Sequence, residues 1–254
     1  MMALFARKRI IDHAGNENPY WMSFSDMMSG MLIIFILVCI ALLYQLTQMR
    51  DNYAANMEEL SKSIRVRYDI IHEIQKELAQ KNIEVYISDN DTVLRIPEVV
   101  LHFDTNRHEI KNEHKETAEE IGRALYEAIA KDDRWEHLET VFVEGHTDSK
   151  QARDNPRYNW DLSAMRAISL WQYWLENTDF GPRLRDFRNK DNKRLFSVSG
   201  YADSRPVEGS ISQNMREDDL RRQRRIDIRF TTRQPTFLEY EKAGRALESP
   251  TSKP

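Results

Sequence analysis

The chain has 254 residues, 41% hydrophobic and 31% charged, with a net charge of −4 and a pI near 6.0. That balance gives no global attraction to nucleic acid, and the length exceeds the usual size of one domain. The single cysteine, Cys39, excludes a disulfide framework or a Cys-based zinc site from Gln45 onward.

From Met27 to Tyr44 there is no charged side chain, and a helix needs about 20 apolar residues to cross the hydrocarbon layer. The pattern predicts a transmembrane helix over residues 21–45 after a short N-terminal segment, 1–20. Arg7, Lys8 and Arg9 precede the run, whereas its far side offers mainly Arg50 beside Asp51. The positive-inside rule then keeps residues 1–20 cytoplasmic and puts everything after the span outside. A cleavable signal peptide has a shorter apolar core and a small-residue cleavage site, which this run lacks. Ile36-Leu37-Val38-Cys39 hints at a lipoprotein box, but the cysteine lies mid-span and Val38 stands where a small residue belongs.

Asp26 sits at the mouth of the apolar run. If it lies inside the hydrocarbon, burying its charge costs about 2.5–3.5 kcal/mol, and such residues usually mark ion pathways. The alternative is a boundary charge at a helix N-terminus near the interfacial Trp21. Met22, Ser25, Asp26, Ser29, Gly30 and Ile33 share a side. The small residues Ser25, Ser29 and Gly30 form a strip along which another helix can approach closely, so that Asp26 faces protein and can load and release a proton.

After the span, Leu46, Met49, Tyr53, Met57, Leu60, Ile64, Ile71, Ile74 and Leu78 recur at three-to-four spacing. This predicts a helical stalk over 46–82, either a dimerising seam or a helix packed on its own domain. A globular domain is expected over 83–232. Ile83–Ile87 and Thr92–Ile96 read as a hairpin around Asp89-Asn90-Asp91, with Pro97 ending or displacing the pairing. Ile121, Leu125, Ala128 and Ile129 give a helix stripe, followed by a buried strand over 138–143. A second helix runs from about Pro156 to Asn177, opened by Asn155 and Pro156. Strands at 195–200 and 225–230 complete an α/β (α+β) domain, a mixed sheet covered by helices. The tail, 233–254, holds Pro235, Gly244 and Pro250 and is expected to be mobile.

Gly145-His146-Thr147-Asp148 ends a buried strand, and Asn159, Leu162, Ser163 and Arg166 share one face of the next helix. A capped helix with a solvated arginine has the same spacing. His102, His108, His114, His137 and His146 are scattered, with neither metal-ligand spacing nor a nucleophile partner, so no enzyme is expected.

These motifs, with Gly200-Tyr201-Ala202-Asp203, Arg205-Pro206 and Arg224-Arg225-Ile226, resemble the OmpA-like peptidoglycan-binding domain in the family's order. The resemblance implies that Asp148 and Arg166 bind the diaminopimelate of the stem peptide, and that Asn159 and Leu162 line the same pocket. Thr147, Tyr158 and Ser163 fall in the same matched segments and join the candidate set. Diaminopimelate carries an ammonium and a carboxylate on one carbon, which suits an aspartate and a planar guanidinium. The Arg221, Arg222, Arg224 and Arg225 cluster then belongs to the domain's last strand rather than to a nucleic-acid patch.

Phe24-Ser-Asp26-Met-Met-Ser-Gly-Met resembles the membrane signature of flagellar stator B subunits. Asn18-Pro-Tyr-Trp-Met-Ser-Phe-Ser-Asp-Met-Met-Ser-Gly and Tyr158-Asn-Trp-Asp-Leu-Ser-Ala-Met-Arg resemble the corresponding subunit of the Zorya anti-phage defence system. The resemblance implies a single-pass protein of the bacterial inner membrane, with a periplasmic domain, a B-subunit homodimer and five copies of an A-type (MotA- or ZorA-like) partner. It implies a transported ion, the proton, at Asp26, and no cofactor. A passive wall anchor, by contrast, leaves Asp26 incidental.

Overall fold

The computed structural model describes residues 19–150, 155, 157–207 and 216–233. It divides into two compact units, the first through Ala54 and the second from Ala55 to Lys242. One helix, α1 (Pro19–Gln80), runs through both sequences. In the first unit, Ser23–Asp51 has a mean hydropathy of 2.6 and no buried side chain in the single chain. That is the exposure expected of a segment whose solvent is lipid. The expected cytoplasmic segment falls mainly outside the described residues.

In the second unit the hairpin forms from β1 (Tyr86–Ser88) and β2 (Val93–Pro97). Its turn is carried by Asp89, Asn90 and Asp91, all at positive φ, a conformation that Asn and Asp tolerate better than most residues. Pairing stops at Pro97, which lacks the ladder N–H. Then come α2 (Lys115–Ala130), β3 (Leu138–His146), α3 (Tyr158–Asn177), a short α4 (Gly181–Asp186), β4 (Phe196–Gly200), a short α5 (Glu217–Gln223) and β5 (Arg225–Thr232). The five strands are ordered β1-β2-β5-β3-β4. Only β3 and β4 pair in parallel, giving the expected mixed sheet. The two short helices escape a periodicity search because each is barely two turns long. In α5 only Leu220 is apolar.

Alternation sends Leu94, Ile96, Val141, Val143, Ile226, Ile228 and Phe230 into the core. There they join α2 and α3 side chains, among them the fully buried Trp174, whose Nε1 donates to the Ala118 carbonyl. The end of α1 belongs to this core as well: Ile70, Ile71, Ile74 and Leu78 are all 0% exposed. The globule therefore begins inside the expected stalk and not at Ile83. A coiled-coil seam and a core-facing helix share nearly the same period, so spacing alone leaves them unseparated. Of the expected stalk residues, Tyr53, Met57 and Ile64 stay exposed in the single chain. At the other end, β5 reaches Thr232 and Arg233 is buried, so the domain includes the first residue of the expected tail. The rest of that tail lies outside the described residues.

The second face of the sheet is polar, as the alternation of Arg225, Asp227 and Arg229 predicts, yet it is buried. Asp227 takes Arg95 at 3.1 Å and Arg225 at 3.0 Å, while Glu144 takes Arg229 at 3.0 Å. Burial pushes Glu144 up and Arg225 down; Asp227 also feels burial, but Arg225 and Arg95 hold it below the usual carboxylate range. His146 lies among them, its Nε2 3.5 Å from Asp227 Oδ2 and its ring stacked on Tyr201. Burial, reinforced by the Arg225 charge, lowers its pKa from 6.5 to about 3.

Ile74→Ala is expected to destabilise the globule by about 2–5 kcal/mol in urea unfolding, the usual cost of a core Ile→Ala change. A residue serving only a dimer seam leaves the intrinsic unfolding of the monomer unchanged. A second test follows from His146. The unfolded chain binds a proton there below pH 6.5, whereas the folded chain does not until about pH 3. Stability is therefore lost as the pH falls from 6.5 towards 3, with a slope of up to about 1.4 kcal/mol per pH unit from this group. His146→Gln is expected to flatten that part of the stability–pH curve.

Candidate functional site

The site lies where β3 and β4 end beneath the first turns of α3. Gly145 and Gly200 are register partners on the face that meets this helix. A Cβ on Gly145 falls 1.9 Å from the Ser163 carbonyl oxygen, and one on Gly200 falls 2.4 Å from the Ala164 nitrogen. Only glycine permits this approach. Just beyond, Tyr201 N–H donates to the Gly145 carbonyl and Thr147 N–H to the Ala202 carbonyl, each at 2.9 Å. Residues 147–148 are thus fixed directly after the strand.

Ser163 completes that junction. Its Oγ accepts from Ala202 N–H at 3.0 Å and donates to the Trp160 carbonyl at 2.9 Å, with no exposed surface. It shares its helix face with Asn159, Leu162 and Arg166 as expected, but it is spent on the strand-end turn and does not line the cleft. Tyr158 also stands off the cleft wall, its hydroxyl donating to the Asn106 carbonyl at 3.4 Å. α3 starts at Tyr158, with Arg157 at the cap position and no side-chain cap, slightly later than expected; Asn155 Oδ1 accepts from Arg157 N–H at 3.0 Å in the turn before it, and Pro156 lies outside the described residues.

The remaining predicted residues converge. Thr147, Asp148, Asn159, Leu162 and Arg166 line one cleft of about 850 Å³. Asn159 Nδ2 donates to the carbonyls of Asp148 and Lys150 at 3.3 and 3.1 Å, bracing the turn that carries the aspartate. Arg166 is 5% exposed. Its Nε donates to the Arg107 carbonyl at 3.0 Å, its Nη2 to the Asp104 carbonyl at 3.2 Å, and its guanidinium lies 5.3 Å from the Phe103 ring centre. Burial lowers its pKa, and the nearby Arg224 charge adds to the effect while Glu98 and Asp148 oppose it. Arginine remains charged through such a shift.

Asp148 is not an open carboxylate. Lys150 N–H donates to Oδ1 at 3.0 Å, and Arg224 Nη1 reaches Oδ2 at 2.5 Å. Arg224 also donates from Nε to Glu98 at 2.8 Å and from Nη2 to Glu217 at 3.2 Å. Burial alone lowers the Arg224 pKa, but the hydrogen bonds to Glu98 and Asp148 outweigh it and raise the value. The basic cluster therefore splits, with Arg224 and the exposed Arg221 lining the cleft, Arg225 in the buried lattice, and Arg222 exposed. Arg224, Glu98 and Glu217 were not legible as site residues. The available signal was the Arg224-Arg225 pair, but seating Arg224 beside Asp148 requires the antiparallel register that pairs Arg225 with His146.

Chemically, the cleft offers a carboxylate and guanidinium groups to a small ligand bearing both charges, with Leu162 and Val99 for its apolar stem. Among the described residues no cluster of three or more His, Cys, Asp or Glu side chains is placed to hold a metal ion. In the first unit, Ser25, Asp26, Ser29 and Gly30 lie on α1 and are exposed in the single chain. Ser29 Oγ donates to the Ser25 carbonyl at 2.7 Å, and a Cβ on Gly30 meets nothing within 4 Å.

Residues 102–219 match the OmpA family. The Bacillus subtilis protein YtxE is 26% identical, over 88% of this chain and 93% of its own length. The Zorya protein ZorB of Escherichia coli (strain ATCC 8739) is 23% identical, over 85% of this chain and 89% of its own. Motility protein B of Bacillus subtilis is 24% identical over 69% of this chain, which spans 57% of that relative.

Arg166→Ala is expected to lower retention on purified diaminopimelate-type peptidoglycan about tenfold or more, the equivalent of a charge-assisted hydrogen bond or two. Arg166→Lys is expected to recover little of it, since a lysine loses the planar fork. Undiminished retention of both variants removes Arg166 from the clasp.

Proposed function

We propose that this ZorB/MotB-like chain with an OmpA-like domain is the peptidoglycan-anchored B subunit of a proton-driven, stator-type motor, of the Zorya anti-phage kind. The observation that carries the reading is the cleft, which both Asp148 and Arg166 line on the OmpA-like domain of a chain whose described residues also include one long apolar helix bearing an aspartate. An anchor needs the first feature, whereas a motor needs both.

In this reading the protein is a single-pass protein of the bacterial inner membrane, its N-terminus cytoplasmic and its OmpA-like domain periplasmic. Two copies form an axle inside five A-type subunits. Each Asp26 is neutralised by a proton from outside and released on the inner side. Ser25, Ser29 and Gly30 bring partner helices close enough to exclude lipid from the carboxylate. The wall holds the axle through the stem peptide's diaminopimelate, so proton movement turns the A ring rather than the B dimer. The chain acts as part of a machine and not as an enzyme, and needs no cofactor beyond the ion. A flagellar role is the second reading, favoured by the similarity to motility protein B.

Asp26→Asn, which keeps size and removes the titratable group, is expected to leave membrane insertion and peptidoglycan retention intact while abolishing protection from phage. Normal protection by this variant removes proton coupling from Asp26. In a deletion strain, lost phage resistance with normal swimming supports the defence motor, and lost swimming supports the flagellar one.

A further inference from the structure

Arg224 gives each of three nitrogens to a different carboxylate, Nε to Glu98, Nη1 to Asp148 and Nη2 to Glu217, with its side chain only 18% exposed. Those carboxylates come from three places in the fold: the loop after β2, the end of β3 and the start of α5. Lys150 Nζ also reaches Glu217, at 2.8 Å. Glu98 also faces His102 Nδ1 at 3.4 Å, and Arg166 and Arg221 line the same cleft.

We infer that Arg224 sets the specificity of the cleft, acting as an internal cation that a ligand ammonium must displace from Asp148, so that only an amine bringing its own carboxylate is accepted. This rests on the reading of the cleft as a diaminopimelate clasp and names what makes it selective. An ammonium seated on Asp148 Oδ2 takes the acceptor now used by Arg224 Nη1. Glu98 and Glu217 keep the guanidinium in the cleft by its other two nitrogens, so the freed Nη1 is left desolvated and short of an acceptor. Removing one partner from a buried pair is costly. A carboxylate on the same carbon as the ammonium supplies the missing acceptor, whereas a bare amine does not. Arg166 is less suited to this exchange, because two of its nitrogens are committed to the Asp104 and Arg107 carbonyls.

The test uses the full chain in detergent, bound to purified sacculi and competed off with two soluble probes. One is meso-diaminopimelate; the other is 1,5-diaminopentane, the same carbon chain without carboxylates. The wild type is expected to be displaced by the first and not by the second. In Arg224→Gln the preference is expected to fall about tenfold or more, chiefly because the diamine becomes an effective competitor. In Glu217→Gln, where Arg224 keeps Asp148 but loses one alternative partner, the preference is expected to rise. A structural role weakens both probes together and leaves their ratio unchanged, which overturns the inference. A wild type that is not retained on sacculi overturns the clasp and this inference with it, whereas retention with an unchanged ratio overturns the inference alone.

Discussion

The close approach of α3 to the ends of β3 and β4 is the constraint on which the cleft depends. Gly145 and Gly200 admit the helix backbone to a distance at which any side chain collides, and Ser163 locks the junction through Ala202. Once the helix is set there, Asn159 braces the turn carrying Asp148, and Arg166, one turn beyond Leu162, reaches the loop at 104–107. Asp148 and Arg166 are each braced by contacts to nearby backbone, Asp148 by Lys150 N–H and Arg166 by the Asp104 and Arg107 carbonyls.

Charge is arranged twice in this domain, with opposite outcomes. On the second face of the sheet, Arg95, Arg225 and Arg229 meet Asp227 and Glu144 in fixed pairs, and His146 is kept neutral among them by burial. Removing one member of such a lattice leaves an uncompensated buried charge, so it favours one register of β2, β5 and β3. At the cleft, Arg224 has three carboxylate partners and a cavity beside it, the arrangement that the proposed exchange with a ligand requires. The neighbours Arg224 and Arg225 thus take different parts, because Arg224 caps the end of α5 whereas Arg225 opens β5 on its buried polar face.

On the proposed reading, the aspartate of the apolar helix and the cleft of the OmpA-like domain make mechanical sense only as a pair. A carboxylate that loads and releases a proton changes its electrostatic attraction to surrounding helices, but a free subunit would simply move with them. Attachment to a covalent wall supplies the fixed frame.

The sequence by itself determined the apolar span, the place of Asp26 in it, the order of strands and main helices, and the motifs that mark Asp148 and Arg166. Each of these is a local pattern: a run length, a period or a short word. It did not separate a stalk from a core helix, because Ile71, Ile74 and Leu78 have a spacing that serves both, and only packing put them at 0% exposure. Nor did it separate Ser163 from its face-mates, since the two glycines it packs against lie on strands distant in sequence. Tertiary structure alone brought Arg224 to Asp148, 76 residues away. Antiparallel pairing of β5 with β3 decides that contact, and strand register is a property of the assembled sheet, invisible in the spacing of either segment.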